Sequence, residues 1–177
     1  MAAARRSSRA GDVTLGGITV ALIILSLYGA SVIRNNTVFF IVLSNYISAI
    51  PYIRGRIRTG VEAYAAVIVL AIFVVSDKIY IIIYAVTGIY PLIKLLCESK
   101  SMAVEFILKY LYYNVSMVTL LLIYDFLLNT KFISLIWPVS LKTVGVIAAA
   151  EIFFLIYDLI FSRVINYIKN KLMGGIV

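Results

Sequence analysis

The sequence predicts an all-α integral membrane protein, a six-transmembrane-helix bundle with both ends in the cytoplasm. Three observations carry this expectation. First, 63% of the 177 residues are apolar and only 14% are charged, against roughly 45–50% and about 25% in soluble domains. Second, the apolar residues fall into runs of about the 20 residues that cross a hydrocarbon layer ~30 Å thick. Third, lysine and arginine are dense at alternate run boundaries and sparse at the others. The length leaves room for one membrane domain: a cytoplasmic tail over 1–12, six helices over 13–167 and a second cytoplasmic tail over 168–177.

The first run extends from Val13 to Ile33 and stops at Arg34-Asn35-Asn36; the second extends from Val38 to Ile53 and stops at Arg54, Arg56 and Arg58. The third, Val61 to Val75, is short and ends at Ser76-Asp77-Lys78. The fourth, Ile79 to Cys97, ends at Glu98-Ser99-Lys100. The fifth begins near Met102 and reaches Leu128. Asn129-Thr130-Lys131 and a Trp137-Pro138 segment then form an interfacial loop before the sixth, Thr143 to Tyr167.

Short cytoplasmic loops carry an excess of lysine and arginine. With the N-terminus inside, Arg5, Arg6, Arg9, Arg54, Arg56, Arg58, Lys94, Lys100, Arg163, Lys169 and Lys171 face the cytoplasm, and only Arg34, Lys78, Lys131 and Lys142 face outward. Lys109 lies a turn or two into the fifth helix. Topology thus accounts for the pI of about 9.6 without a nucleic-acid partner. The first apolar run exceeds the 7–15 residues of a signal-peptide core and reads as a retained helix.

Catalytic motifs are scarce. There is no histidine, which excludes imidazole acid–base chemistry and histidine metal ligation. The single cysteine, Cys97, leaves no disulfide and no multi-cysteine metal site. No Walker-type glycine loop occurs, so ATP would have to be handled by partner chains. The expectation is a protein that is not an enzyme and has no cofactor or metal.

What stands out is the polar side chains inside the spans, each costly at bilayer depth unless it has a partner or lines a cavity. Asn114 and Asp125 lie three turns apart on the fifth span, and Glu151 and Asp158 two turns apart on the sixth, so each pair shares a face. The fourth span carries Tyr80 and Tyr84, then Thr87, Gly88 and Pro91, where a kink is expected. Lys94 and Asp158 fall at similar depth in the cytoplasmic half and are expected to form a structural ion pair. Tyr80, Tyr84, Asn114, Tyr124, Asp125 and Glu151 are the candidate walls of a small-solute site in the outer half, with Glu151 orienting the ligand. Equally open are Glu151 as a neutral group bonded within the protein and the tyrosines as interfacial anchors. On the first span, Gly17-x-x-x-Ala21 is a small-residue pair that permits close approach of another helix, and the third has Ala63, Ala65 and Ala66 at its cytoplasmic end.

The segments Leu15-Gly16-Gly17-Ile18-Thr19-Val20-Ala21 and DKIYIIIYAVTGIYPLIK, from Asp77 to Lys94, are similar to segments of small clostridial membrane proteins related to the S components of energy-coupling-factor transporters. The six-helix layout, with small residues on the first helix, also resembles that family. The resemblance implies a bacterial plasma membrane location and a subunit that captures a vitamin or another small solute near the outer face. S components dock through alanines of the first helix (Ala-x-x-x-Ala) onto a coupling transmembrane subunit driven by two ATPase subunits. Here Gly17 replaces the first alanine and Ala21 occupies the second position. Other functions stay open: a non-transporting scaffold similar to the rod-shape membrane protein family MreD, or an orphan membrane enzyme or lipid-binding protein.

Overall fold

A computed structural model describes residues 2–97, 102–128 and 141–173, and among them every regular element is a helix. In chain order these are α1 (Ala2–Val32), a 3-10 turn at Arg34–Asn36, α2 (Thr37–Ile53), α3 (Ile57–Val74), α4 (Lys78–Thr87), α5 (Tyr90–Cys97), α6 (Met102–Leu128) and α7 (Leu141–Met173). Six stretches are long and apolar enough to cross a membrane, α4 and α5 together making the fourth. The chain is therefore an all-α, multi-pass membrane protein. The breaks predicted at Glu98-Ser99-Lys100 and at Asn129-Thr130-Lys131, and the Trp137-Pro138 segment, lie outside the described residues.

The span boundaries follow the apolar runs, with three differences. α1 begins at Ala2 rather than Val13, so the segment expected as a tail is helical. α7 likewise continues through Met173, beyond the predicted Tyr167. The fourth span is interrupted near the expected kink: α4 stops at Thr87, Gly88 and Ile89 form a turn in which Gly88 N–H still donates to Tyr84 O at 2.7 Å, and α5 starts at Tyr90. Pro91 is the second residue of α5, in the first turn, where a missing N–H is tolerated. Its fixed ring leaves no donor for the carbonyl of Thr87 four residues earlier.

The ends of α2, α3 and α4 are closed by local chemistry. Gly55 sits at φ 70°, the left-handed conformation that glycine adopts without a Cβ penalty. Its N–H donates to Tyr52 O at 2.9 Å and that of Arg56 to Pro51 O at 2.9 Å, the crossed pair of a Schellman stop. Lys78 Nζ donates to the carbonyls of Ile72 and, at 2.8 Å, Val75, covering the open end of α3. Asp77 Oδ1 accepts the N–H of Ile79 at 3.2 Å and caps α4.

The chain divides into two compact units, residues 1–106 and 107–177. In the first, α1 packs against α2 and α3 around a core of Ile23 and Leu27 from α1, Val67, Ala71 and Val75 from α3 and its end, and Ile81 and Tyr84 from α4. Small residues set the approach of the helices. A Cβ on Gly60 would stand 2.4 Å from the Tyr52 ring, and one on Gly29 would stand 3.0 Å from the Phe40 ring.

In the second unit α6 and α7 run antiparallel. Tyr113 Oη donates to Ala150 O at 2.9 Å, and the Tyr113 ring stacks on Phe154 with centroids 4.2 Å apart. Tyr110 meets the same Phe154 ring edge-on at 5.5 Å. One turn from Tyr113, Lys109 Nζ contacts Asp158 Oδ2 at 3.3 Å.

Candidate functional site

The predicted solute-site residues fall on both units: Tyr80 and Tyr84 in the first, and Asn114, Tyr124, Asp125 and Glu151 in the second. Tyr80 is half-buried. Tyr84 is fully buried in the core of the first unit, and its hydroxyl has no hydrogen-bond partner among the described residues. The ring tilts against Tyr64 at 5.8 Å and its far end lies over Gly88, where an added Cβ would come within 2.8 Å of Tyr84 Cζ. Burial makes Tyr84 a core residue whose polar tip points at the break between α4 and α5.

In the second unit the packed face of α6 carries Lys109, Tyr113 and Ser116, at the four- and three-residue steps that keep side chains on one face. Asn114 follows Tyr113 by one residue, about 100° further round the helix. It is exposed and donates its amide to Tyr110 O of its own helix at 3.0 Å. Tyr124 is exposed as well, and Asp125 is half-buried. The Tyr113–Ala150 bond puts Glu151 level with Asn114, whereas Asp125 lies eleven residues further along α6, about 16 Å at 1.5 Å per residue. These four residues therefore occupy two levels rather than one.

Glu151 is half-buried, and its Oε2 is fully enclosed without a hydrogen-bond partner among the described residues. The Tyr113 hydroxyl beside it is already committed to the backbone of Ala150. A carboxyl with an unfilled buried oxygen can accept a hydrogen bond when ionised or donate one when protonated.

Asp158 is held by Lys109, with side-chain exposures of 7% for the lysine and 20% for the aspartate. The sequence placed Lys109 on the fifth helix but favoured Lys94 as the partner by depth alone. Lys94 is buried in the first unit, 2% exposed on α5.

The predicted docking pair, Gly17 and Ala21, is exposed on α1. Both line a groove of about 630 Å³ between α1 and α3, walled by Gly16, Gly17 and Ala21 on one side and Thr59, Ala63 and Ala66 on the other. A Cβ on Gly17 would meet nothing within 4 Å, whereas one on Gly16 would lie 3.2 Å from Thr59 Cγ2. The groove's charged end is internally compensated: Asp12 contacts Arg56, and Arg58 Nε donates to Glu62 Oε1 at 2.7 Å.

A polar cluster on α2 was not singled out by the sequence reading. Ser44, Asn45 and Ser48 are all buried, and Asn45 and Ser48 meet the Thr87–Gly88 break. The signal was present in three polar residues at steps of one and three inside an apolar span, beside Pro51. Among the described residues no group of three or more aspartate, glutamate, histidine or cysteine side chains could hold a metal.

No protein-family model, curated protein or solved structure matches this chain.

Proposed function

We propose that this chain is a substrate-capture subunit of a bacterial plasma membrane, for uptake of a small solute such as a vitamin, energised by a coupling transmembrane subunit and ATPase subunits. The observation that carries the reading is Glu151. A carboxyl oxygen enclosed within the sixth span with no partner among the described residues costs about 1–3 kcal/mol, and a solute that fills it recovers that cost on binding. The open α1–α3 groove adds support, since Gly17, Ala21, Ala63 and Ala66 leave space for a partner helix to approach closely.

The test is a thermal-shift screen of small solutes on detergent-purified protein. One solute should raise the melting temperature of the natural chain and leave Glu151→Gln unmoved. A solute that stabilises both equally would place binding elsewhere, and silence across water-soluble vitamins and amino acids would remove the capture role.

The second reading, a non-transporting scaffold similar to the MreD family, is favoured by the groove alone, because helix docking needs no solute. Ala21→Leu would then abolish co-assembly with a membrane partner while no solute shifts the natural chain. Both readings share the topology with cytoplasmic ends. In a Cys97→Ser background, a cysteine at Asn35 should react with an impermeant maleimide from outside and one at Gly55 should not; the reverse pattern overturns the orientation.

A further inference from the structure

The groove between α1 and α3 has the proportions of a lipid chain. Its walls are one face of each helix: Gly17, Ala21 and Ile24 of α1, at steps of four and three, and Ala63, Ala66 and Leu70 of α3. Gly16 meets Thr59 so closely that a Cβ on it would stand 3.2 Å from Thr59 Cγ2, whereas a Cβ on Gly17 would meet nothing within 4 Å. The helices therefore touch at one level, and beside that contact their small residues leave about 630 Å³ unfilled. In a bilayer the surrounding medium is acyl chains. An empty apolar channel forfeits the dispersion contacts that a chain laid along it would make.

Length matches the groove to a single leaflet. From Asp12 to Ile24 it follows α1 for about 18 Å at ~1.5 Å per residue, close to the ~15 Å half-thickness of the hydrocarbon layer. It begins at the charged boundary of the first apolar run, and Ile24 lies near the middle of that run, between Val13 and Ile33. A soluble solute would find only apolar walls along it, whereas an acyl chain of one leaflet fits it from end to end.

Charge selects the headgroup. At the mouth Asp12 pairs with Arg56 and Glu62 with Arg58. Arg9, one turn before Asp12, and Arg54, two residues before Arg56, are exposed and have no carboxylate partner among the described residues. Four arginines against two carboxylates leave the mouth net positive, and a guanidinium presents its donors in the fork that matches a phosphate. Basic clusters at the cytoplasmic end of a membrane helix attract anionic lipids. We infer that the groove binds one anionic phospholipid, with an acyl chain between α1 and α3 and the phosphate at Arg56 within the field of Arg9 and Arg54. The lipid comes from the leaflet on the N-terminal side, the inner one in the topology with cytoplasmic ends. This site is independent of Glu151, and a partner helix docking in the groove would displace the lipid.

The test is native mass spectrometry of the full chain in detergent, titrated with dioleoyl phosphatidylglycerol or with dioleoyl phosphatidylcholine. The first phosphatidylglycerol should bind at least about fivefold tighter than phosphatidylcholine, and replacing Arg9 and Arg54 together by glutamine should erase that preference, since each arginine near an anionic surface contributes about fivefold. Gly17→Leu fills the groove and should weaken the first phosphatidylglycerol at least about tenfold, the effect of forcing extra volume into an occupied space. Leu22→Ala, exposed and about 100° further round α1 than Ala21, should leave it unchanged. Equal affinity for the two lipids would overturn the site, leaving only the unselective lipid that coats any membrane helix. Undiminished phosphatidylglycerol binding by Gly17→Leu of native helicity would overturn it too, as would displacement by an equal concentration of glycerol 3-phosphate, which carries the charge without a chain. If Gly17→Leu fails to fold, Ala66→Leu on the opposite wall decides in its place.

Discussion

In the four spans of the first unit, 28% or 33% of the most apolar stretch is buried, whereas in α6 and α7 the shares are 6% and 11%. Both units are built from equally apolar helices, so hydrophobicity does not explain the difference. Lipid tails are as apolar as leucine, and what brings membrane helices together is close packing and polar contact. The first unit relies mainly on closeness: Gly29 admits Phe40, and Gly60 admits Tyr52. The second relies on directed contacts along one face, namely Lys109 with Asp158, Tyr113 with the backbone of Ala150, and Tyr113 stacked on Phe154. Substitutions that remove charge should therefore hurt the second unit most, and substitutions that add volume the first.

The largest expected effect is on the ion pair. Both partners are mostly buried, so Lys109→Met leaves a carboxylate with a lost counter-charge inside the membrane and should destabilise by about 3–5 kcal/mol. Adding Asp158→Asn should recover a large part of that loss, and a double-mutant cycle by chemical unfolding in mixed micelles measures the coupling. A cost below about 1 kcal/mol would break the comparison, since the second unit would then lack its main clamp. The same cycle with Lys94→Met determines whether Lys94 shares this carboxylate, as depth along the sequence suggests.

Next in size is Gly60→Val. The new side chain must displace the Tyr52 ring, an overpacking cost of about 1–3 kcal/mol. Gly17→Val, on the same unit but facing open space, should stay within about 0.5 kcal/mol. Equal losses at the two sites would mean that closeness at Gly60 is not what holds α2 against α3. A smaller effect separates hydrogen bonding from stacking in the second unit. Tyr113→Phe keeps the ring on Phe154 and removes only the bond to Ala150, so it should cost about 0.6 kcal/mol, the mean for such bonds in a membrane protein.

The spans themselves were legible because length and apolarity suffice to mark them, and Pro91 located the disturbance in the fourth. The two-residue turn at Gly88 and Ile89 lies just before that proline, whose ring removes the donor for Thr87 O while Gly88 N–H still bonds Tyr84 O. Lys109 and Lys94 both fit Asp158 by height, since depth leaves helix rotation undetermined; the facing of Tyr113 and Phe154 is what puts Lys109 on the side of α6 that meets α7. Asn114 shares a face with Asp125, as expected, while the face of α6 packed on α7 is that of Tyr113, one residue away. The cluster of Asn45 and Ser48 escaped because their significance depends on a contact with Thr87 and Gly88 some forty residues later.

For Glu151→Gln in the ligand-free chain the sign of the stability change, more than its size, is the informative quantity. The two side chains have nearly the same shape, so packing is preserved. Were Glu151 ionised, its enclosed Oε2 would carry charge without a hydrogen bond, a costly state that glutamine relieves, and the variant would be more stable by 1 kcal/mol or more. Were it protonated, glutamine would exchange one neutral polar group for another and stability would move by no more than about 0.5 kcal/mol. Either result, combined with loss of the solute-induced thermal shift, keeps Glu151 as the group that orients a ligand. A loss of 1–3 kcal/mol without any solute would instead mean that the carboxyl is bonded within the protein, as breaking a satisfied buried hydrogen bond costs that much. Glu151 would then join Lys109, Asp158 and Tyr113 among the contacts that hold α6 to α7, and the proposed capture site would lose its anchor.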